Sequence, residues 1–203
     1  MTVSYQNILE RIFDAVDQEA YLTPMHRIQG PEAQALAVFK AAIGEPDWEP
    51  EQLRALVGRL HEEGRLRSTT RFSLLHIIAA HPRVGNFAEA ARMVGEQELA
   101  ALDEGGPLMD ADLASVDRHR GVLAFLKGHY EVALDYFSRA LDRERSAENL
   151  SNILCTLIRL RELPEAENLL AQIRASYPET LVDELDGIIR RDPDLALLRT
   201  ETP

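Results

Sequence analysis

The side chains in this sequence with the means to do chemistry are six histidines, one cysteine and a surplus of carboxylates. His26, His61, His76, His81, His119 and His129 are scattered along the chain. A helical zinc site of the HExxH kind needs two histidines four residues apart on one face. His76 and His81 are five apart and leave a helix on different faces. In "LHEEGRL", Glu62 and Glu63 stand beside His61, but one helical face cannot present all three, so the segment reads as a solvated helix end. Cys155 lies in an apolar helical run with Leu154 and Leu157, and nothing in its surroundings supplies a base. It reads as a buried or groove-lining thiol, not a nucleophile. Gly105-Gly106 is a bare turn without the pattern of a phosphate loop, and acidic pairs such as Glu96 and Glu98, or Glu104 and Asp110, are ordinary in an acidic helical protein. The expectation is a chain that is not an enzyme: no catalytic residue, no metal site and no cofactor.

Composition narrows the partners. The formal net charge of −12 is spread along the chain, and such a surface repels phosphate backbones and anionic lipid. Neither nucleic acid nor membrane is expected as a partner. Arg59, Arg65, Arg67 and Arg71 form the one local basic cluster, in "EQLRALVGRLHEEGRLRSTTRF". A winged-helix DNA reader would need two strands after it, whereas "RLRSTTRFSLLHIIAA" runs straight into a helix, so these arginines are expected to pair with neighbouring acids. With a single cysteine no internal disulfide is possible, which fits a reducing compartment. The start, "MTVSYQNILERIFDAVDQEA", reads as an amphipathic helix and not as a signal peptide, and no apolar run has the length to span a bilayer. The expected location is cytoplasmic.

The elements that must position these residues are helical from end to end. Pro31, Pro50, Pro164 and Pro178 each stand where a proline opens a helix, and Gly44, Gly64 and Gly105-Gly106 stand where one stops. Asn86 and Ser146 read as N-caps, as do Ser68, Thr69 and Thr70 for the helix that follows them. Pro193 opens a last short turn, "PDLALL". The predicted total is about ten helices, with short loops that make successive helices antiparallel neighbours. Two stretches, 17–30 and 103–112, break the rhythm.

The sequence also repeats. In "GHYEVALDYFSRAL", Tyr130, Ala133, Leu134, Phe137, Ala140 and Leu141 form one helical stripe. At a shift of 33 residues, Ala133 falls on Ala166, Phe137 on Leu170, Ala140 on Ile173 and Gly128 on Arg161. "AAHPRVGNFAEAARMV" gives the same shape upstream. Gly121 in a first helix, Gly128 and Tyr130 in the turn, and Ala133, Phe137 and Ala140 in the second helix resemble the tetratricopeptide repeat (TPR) family. Ala166, Leu170 and Pro178 match in the next copy. The match departs from the family at Asp117, Arg120 and Ala124, and Leu154 stands where a small residue is favoured. The resemblance implies an all-α fold of stacked antiparallel hairpins in a right-handed superhelix. The repeats would run 71–104, 114–146 and 147–178 within a region spanning 68–191. Residues 1–67 would form divergent or capping hairpins, and 192–203 a short tail.

In that family first helices line a concave groove. The resemblance therefore implies a binding face from Arg118, Val122 and Phe125 of one unit and Ser151, Asn152, Cys155, Ile158 and Arg159 of the next, with Phe72, Leu75, His76 and Ala79 upstream. Val122 and Cys155 stand where a carboxylate clamp would need asparagine. What remains is an apolar floor flanked by Arg118 and Arg159, suited to an amphipathic helix or apolar peptide carrying an acidic group. The expected function is a protein-protein interaction module: a scaffold, adaptor or chaperone. The competing reading is an enzyme or regulatory protein whose small-ligand site lies between helices and leaves no motif.

Overall fold

The computed structural model describes residues 4–17, 30–104 and 109–199. Among them are ten α-helices, a closing 3₁₀ helix and no strand. In chain order the helices are α1 (Tyr5–Asp17), α2 (Gly30–Gly44), α3 (Pro50–Glu62), α4 (Ser68–Ala80), α5 (Phe87–Glu104), α6 (Met109–Leu126), α7 (Tyr130–Arg143), α8 (Ala147–Arg159), α9 (Leu163–Ser176) and α10 (Glu179–Arg191), followed by the 3₁₀ turn Pro193–Leu198. The all-α expectation holds. The irregular stretch expected at 17–30 falls almost wholly outside the described residues; of 103–112, residues 105–108 do, while 103–104 end α5 and 109–112 begin α6. No helix among the described residues is long and apolar enough to cross a membrane.

The chain forms two compact units. One, here the middle unit, is His26–Leu123; the other, the terminal unit, joins Met1–Met25 to Ala124–Pro203. In the middle unit α2 packs on α3, α3 on α4 and α4 on α5. One cluster centres on Phe39, Trp48, Leu53, Val57, Leu74 and Ile78. A second joins Ala79, Ala80, Ala90 and Val94 to Val116 and Leu123 of α6. The small residues there let helix backbones approach closely.

The start of α4 is held from a distance. Ser68, Thr69 and Thr70 do not cap it through their own side chains; the N-cap position is Arg67, which makes no side-chain cap bond. Carboxylates of other helices accept its free N–H groups instead: Glu32 from the Arg67 amide at 3.1 Å and Glu104 from the Ser68 amide at 3.1 Å. Negative charge at a helix N-terminus is favourable. The Arg67 guanidinium balances it, pairing with Asp112 at 2.8 Å, Glu32 at 3.2 Å and Glu104 at 3.6 Å. Arg65 pairs with Glu63 at 3.6 Å. Two members of the basic cluster thus meet acids, as expected, while Arg71 lies over the Phe72 ring.

The terminal unit is built around α8. That helix packs against α7, α9, α10 and the 3₁₀ turn, and it buries Leu150, Ile153, Leu154 and Leu157 completely. Ser146 caps it, accepting from the Asn149 amide at 3.2 Å. α1 packs against α7 and α9. Its Ile8, Ile12 and Val16 are buried, and Arg11 bonds Ser138 at 2.9 Å and pairs with Asp135 at 3.2 Å.

The two turns related by the 33-residue shift have one geometry. Gly128 has φ 76° and Arg161 φ 67°. After α6, Gly128 N donates to Phe125 O and His129 N to Ala124 O, each at 2.9 Å; after α8, Arg161 N donates to Ile158 O at 3.0 Å and Glu162 N to Leu157 O at 2.9 Å. This is a helix stop of the left-handed type that glycine enters freely. Arg161 adopts it without glycine's freedom and is exposed, so little packing is at stake. Arg161→Gly is therefore expected to raise the stability of the terminal unit by about 0.5–1 kcal/mol, read from urea unfolding. A destabilised variant would show that the arginine side chain contributes more than its backbone costs.

Candidate functional site

The residues expected to line a groove have different fates. Arg118 and Val122 are half-buried on the part of α6 that belongs to the middle unit. Phe125, Ser151, Asn152, Cys155, Ile158 and Arg159 belong to the terminal unit. There Ser151 and Cys155 are buried, Phe125, Asn152 and Ile158 are half-buried, and Arg159 is exposed. Of the upstream residues, His76 and Ala79 are enclosed in the core of the middle unit.

What the fold brings together in the terminal unit is an aromatic corner with a charged edge. The Phe125 ring meets Tyr130 edge-on, centroids 5.3 Å apart. The Arg159 guanidinium stands 6.0 Å from the Phe125 centroid, a cation–π distance. Tyr130 opens α7 just after the Gly128 turn, so the turn geometry itself delivers the second ring to the first.

The chain's own 3₁₀ turn closes on this face. Asp194 pairs with Arg159 at 2.8 Å, and Asp192 lies 3.9 Å from the Cys155 sulfur. Asp192 also caps the turn, accepting from the Asp194 amide at 2.9 Å. Leu195 and Leu198 are buried, and Arg199 donates to the carbonyl oxygens of Ile189 at 3.1 Å and Asp192 at 2.9 Å. Tyr130, Asp192 and Asp194 are the members of this site that sequence reasoning did not assign to it. The motif "DPDLALL" marked an end helix, but periodicity does not say which helix that end returns to.

The electrostatics argue against a nucleophile here. Burial, and then the negative charges of Asp192 and Asp194, push the Cys155 thiol up to about 12, against a smaller opposing pull from Arg159. The Ser151 hydroxyl is spent on the Glu148 carbonyl at 2.9 Å, and the Thr156 hydroxyl on that of Asn152 at 2.7 Å. Among the described residues no group of three or more His, Cys, Asp or Glu side chains is placed to hold a metal ion. The arrangement presents an aromatic surface, one guanidinium and apolar side chains, which is equipment for binding.

The middle unit holds an open cleft of ≈ 390 Å³ at the corner between α2 and α3. Trp48, Leu53 and Leu56 line it together with Glu45, Asp47, Glu49 and Arg59. The Arg83 guanidinium lies 4.9 Å from the Trp48 ring, and His81 meets that ring edge-on at 4.9 Å. No family model, curated protein or solved structure matches the chain.

Proposed function

We propose that the chain is a non-catalytic interaction module of the TPR type, a right-handed stack of helical hairpins working in the cytoplasm. Its terminal unit binds an apolar, acid-bearing peptide or helix of a partner protein around Phe125, Asn152, Ile158 and Arg159. The observation that carries the repeat is the pair of like turns at Gly128 and Arg161, with left-handed backbone and like hydrogen bonds 33 residues apart. Burial supports it as well: Ala133 and Ala166 are both fully enclosed, and Phe137 and Leu170 both nearly so. The binding reading is supported by the exposed Arg159 beside half-buried Phe125 and Ile158, and by Asp194, which already offers Arg159 an acidic group from the chain's own tail. A partner's carboxylate competes with Asp194 for that guanidinium. Arg118 and Val122 are not part of this surface as proposed.

The test is affinity capture followed by calorimetry with the purified partner. An aromatic at the centre of an interface carries a large share of its energy, so Phe125→Ala is expected to weaken binding by about 2 kcal/mol, with far-ultraviolet circular dichroism unchanged. Equal affinity for the wild type and a Phe125→Ala, Ile158→Ala double variant removes this face from consideration. The second reading, a regulatory protein with a small-ligand site, has the cleft beside Trp48 in its favour, since its volume suits a small molecule. A cationic ligand that quenches Trp48 and raises the melting temperature would establish it.

A further inference from the structure

Two histidines that serve neither reading are stacked inside the middle unit. The rings of His76 on α4 and His119 on α6 have centroids 4.2 Å apart and planes 27° from parallel; they are 1% and 6% exposed. Nδ1 of His76 lies 3.2 Å from the Ala90 carbonyl oxygen, which only accepts, so that nitrogen carries the proton. Nδ1 of His119 lies 2.8 Å from Gln97 Oε1, and Gln97 Nε2 in turn donates to Ser115 Oγ at 3.0 Å. His119 is therefore also the Nδ1–H tautomer. Each ring spends its one N–H on a neutral acceptor of α5, and the two face each other as neutral imidazoles that tie α4, α5 and α6 together.

A positive charge on either ring would be badly placed. From α5 the facing groups, Gln97 and the Ala90 carbonyl, carry no charge, and Glu98 is paired with Arg120. From α6 the charge acting on His119 is Arg118, which opposes protonation, as does His76 from α4. Asp117 is two residues from His119 and leaves the helix on another side. We propose that this imidazole pair is an acid-sensitive latch, closed while both rings are neutral and opened by proton uptake, so that acidification loosens the middle unit.

The sign follows from burial, which lowers His76 and lowers His119 well below the ordinary value. A histidine held below its unfolded value contributes stability that is full above about pH 6.5 and is lost as pH falls beneath it. Between pH 7.5 and 5.5 a ring that stays neutral in the fold costs about tenfold in the folding constant, so the pair costs at most about a hundredfold. His81, lowered by burial and then by Arg83, acts in the same direction and lies against Trp48. The readout is therefore the wavelength, not the intensity, of Trp48 emission in urea titrations; Trp48 is the one tryptophan and belongs to the middle unit.

Asparagine places an amide N–H where the Nδ1–H stands and cannot titrate. The wild type is expected to lose more in folding constant between pH 7.5 and 5.5 than a His76→Asn, His119→Asn double variant does, the ratio of the two losses reaching about a hundredfold. A wild type whose folding constant is flat over this range, or a double variant with the same loss, overturns the proposal. If the double variant does not fold, proton–nitrogen spectra of the native imidazoles decide. The rings of His76 and His119 remaining neutral at pH 5.5 supports the latch, and both being protonated there overturns it.

Discussion

Phe137→Ala lowers the stability of the terminal unit by about 3–5 kcal/mol, the range for removing a buried phenylalanine. The ring is 2% exposed and is among the largest side chains enclosed in the chain. It belongs to α7, which packs on α8 and on α1, and its helix also buries Ala133, Leu134, Ala140 and Leu141. The alanines bring neighbouring backbones close and leave one large gap, which the ring fills. Truncating a side chain so fully enclosed leaves a cavity, and the cavity term adds to the lost burial. Whole-domain stabilities are typically 5–15 kcal/mol, so the variant stands near the threshold of folding. Urea unfolding followed by circular dichroism measures the loss. A cost below about 1 kcal/mol would mean that α7 is not packed as described.

Much of this fold was legible because its helices are punctuated by residues whose effect is local. Pro50, Pro164 and Pro193 each stand at the start of a helix, and Ser146 caps α8 with its own hydroxyl. Asn86 accepts from the Glu89 amide at 3.2 Å, as its position suggested. The two like helix stops were legible for the same reason: small residues at one spacing and a stop at another are written in a single stretch of chain. Arg161 adopts the left-handed stop without being a glycine.

The rest required partners that a local pattern does not name. The amphipathic stripe of α1 says that a face is buried and nothing about α7 and α9 burying it. Glu32 and Glu104 lie more than thirty residues from the α4 terminus they cap. The five-residue spacing of His76 and His81 relates residues of one segment, whereas the ring stacked on His76 is that of His119 on another helix. In the candidate site, Phe125, Ile158 and Arg159 keep the exposure that binding needs, while Ser151 and Cys155 do not.

Cys155 is the sharpest probe of that closure. An ordinary thiol near 8.5 is partly ionised at pH 8, whereas one held at about 12 has a thiolate population about three powers of ten lower. Alkylation of the native chain by iodoacetamide is accordingly expected to run about a thousandfold slower than in urea, with mass spectrometry counting the label. Asp192→Asn removes the nearer negative charge and speeds native labelling, yet leaves it well below the unfolded rate, since burial is the larger cause. The same shift ties this thiol to alkaline stability. Its folded value lies above its unfolded one, so its contribution is full below about pH 8.5 and is lost as pH rises toward 12. Cys155→Ala should remove that part of the alkaline loss. Native labelling within tenfold of the unfolded rate would show that the tail stands away from α8, and would leave Arg159 and the apolar floor open without competition from Asp194.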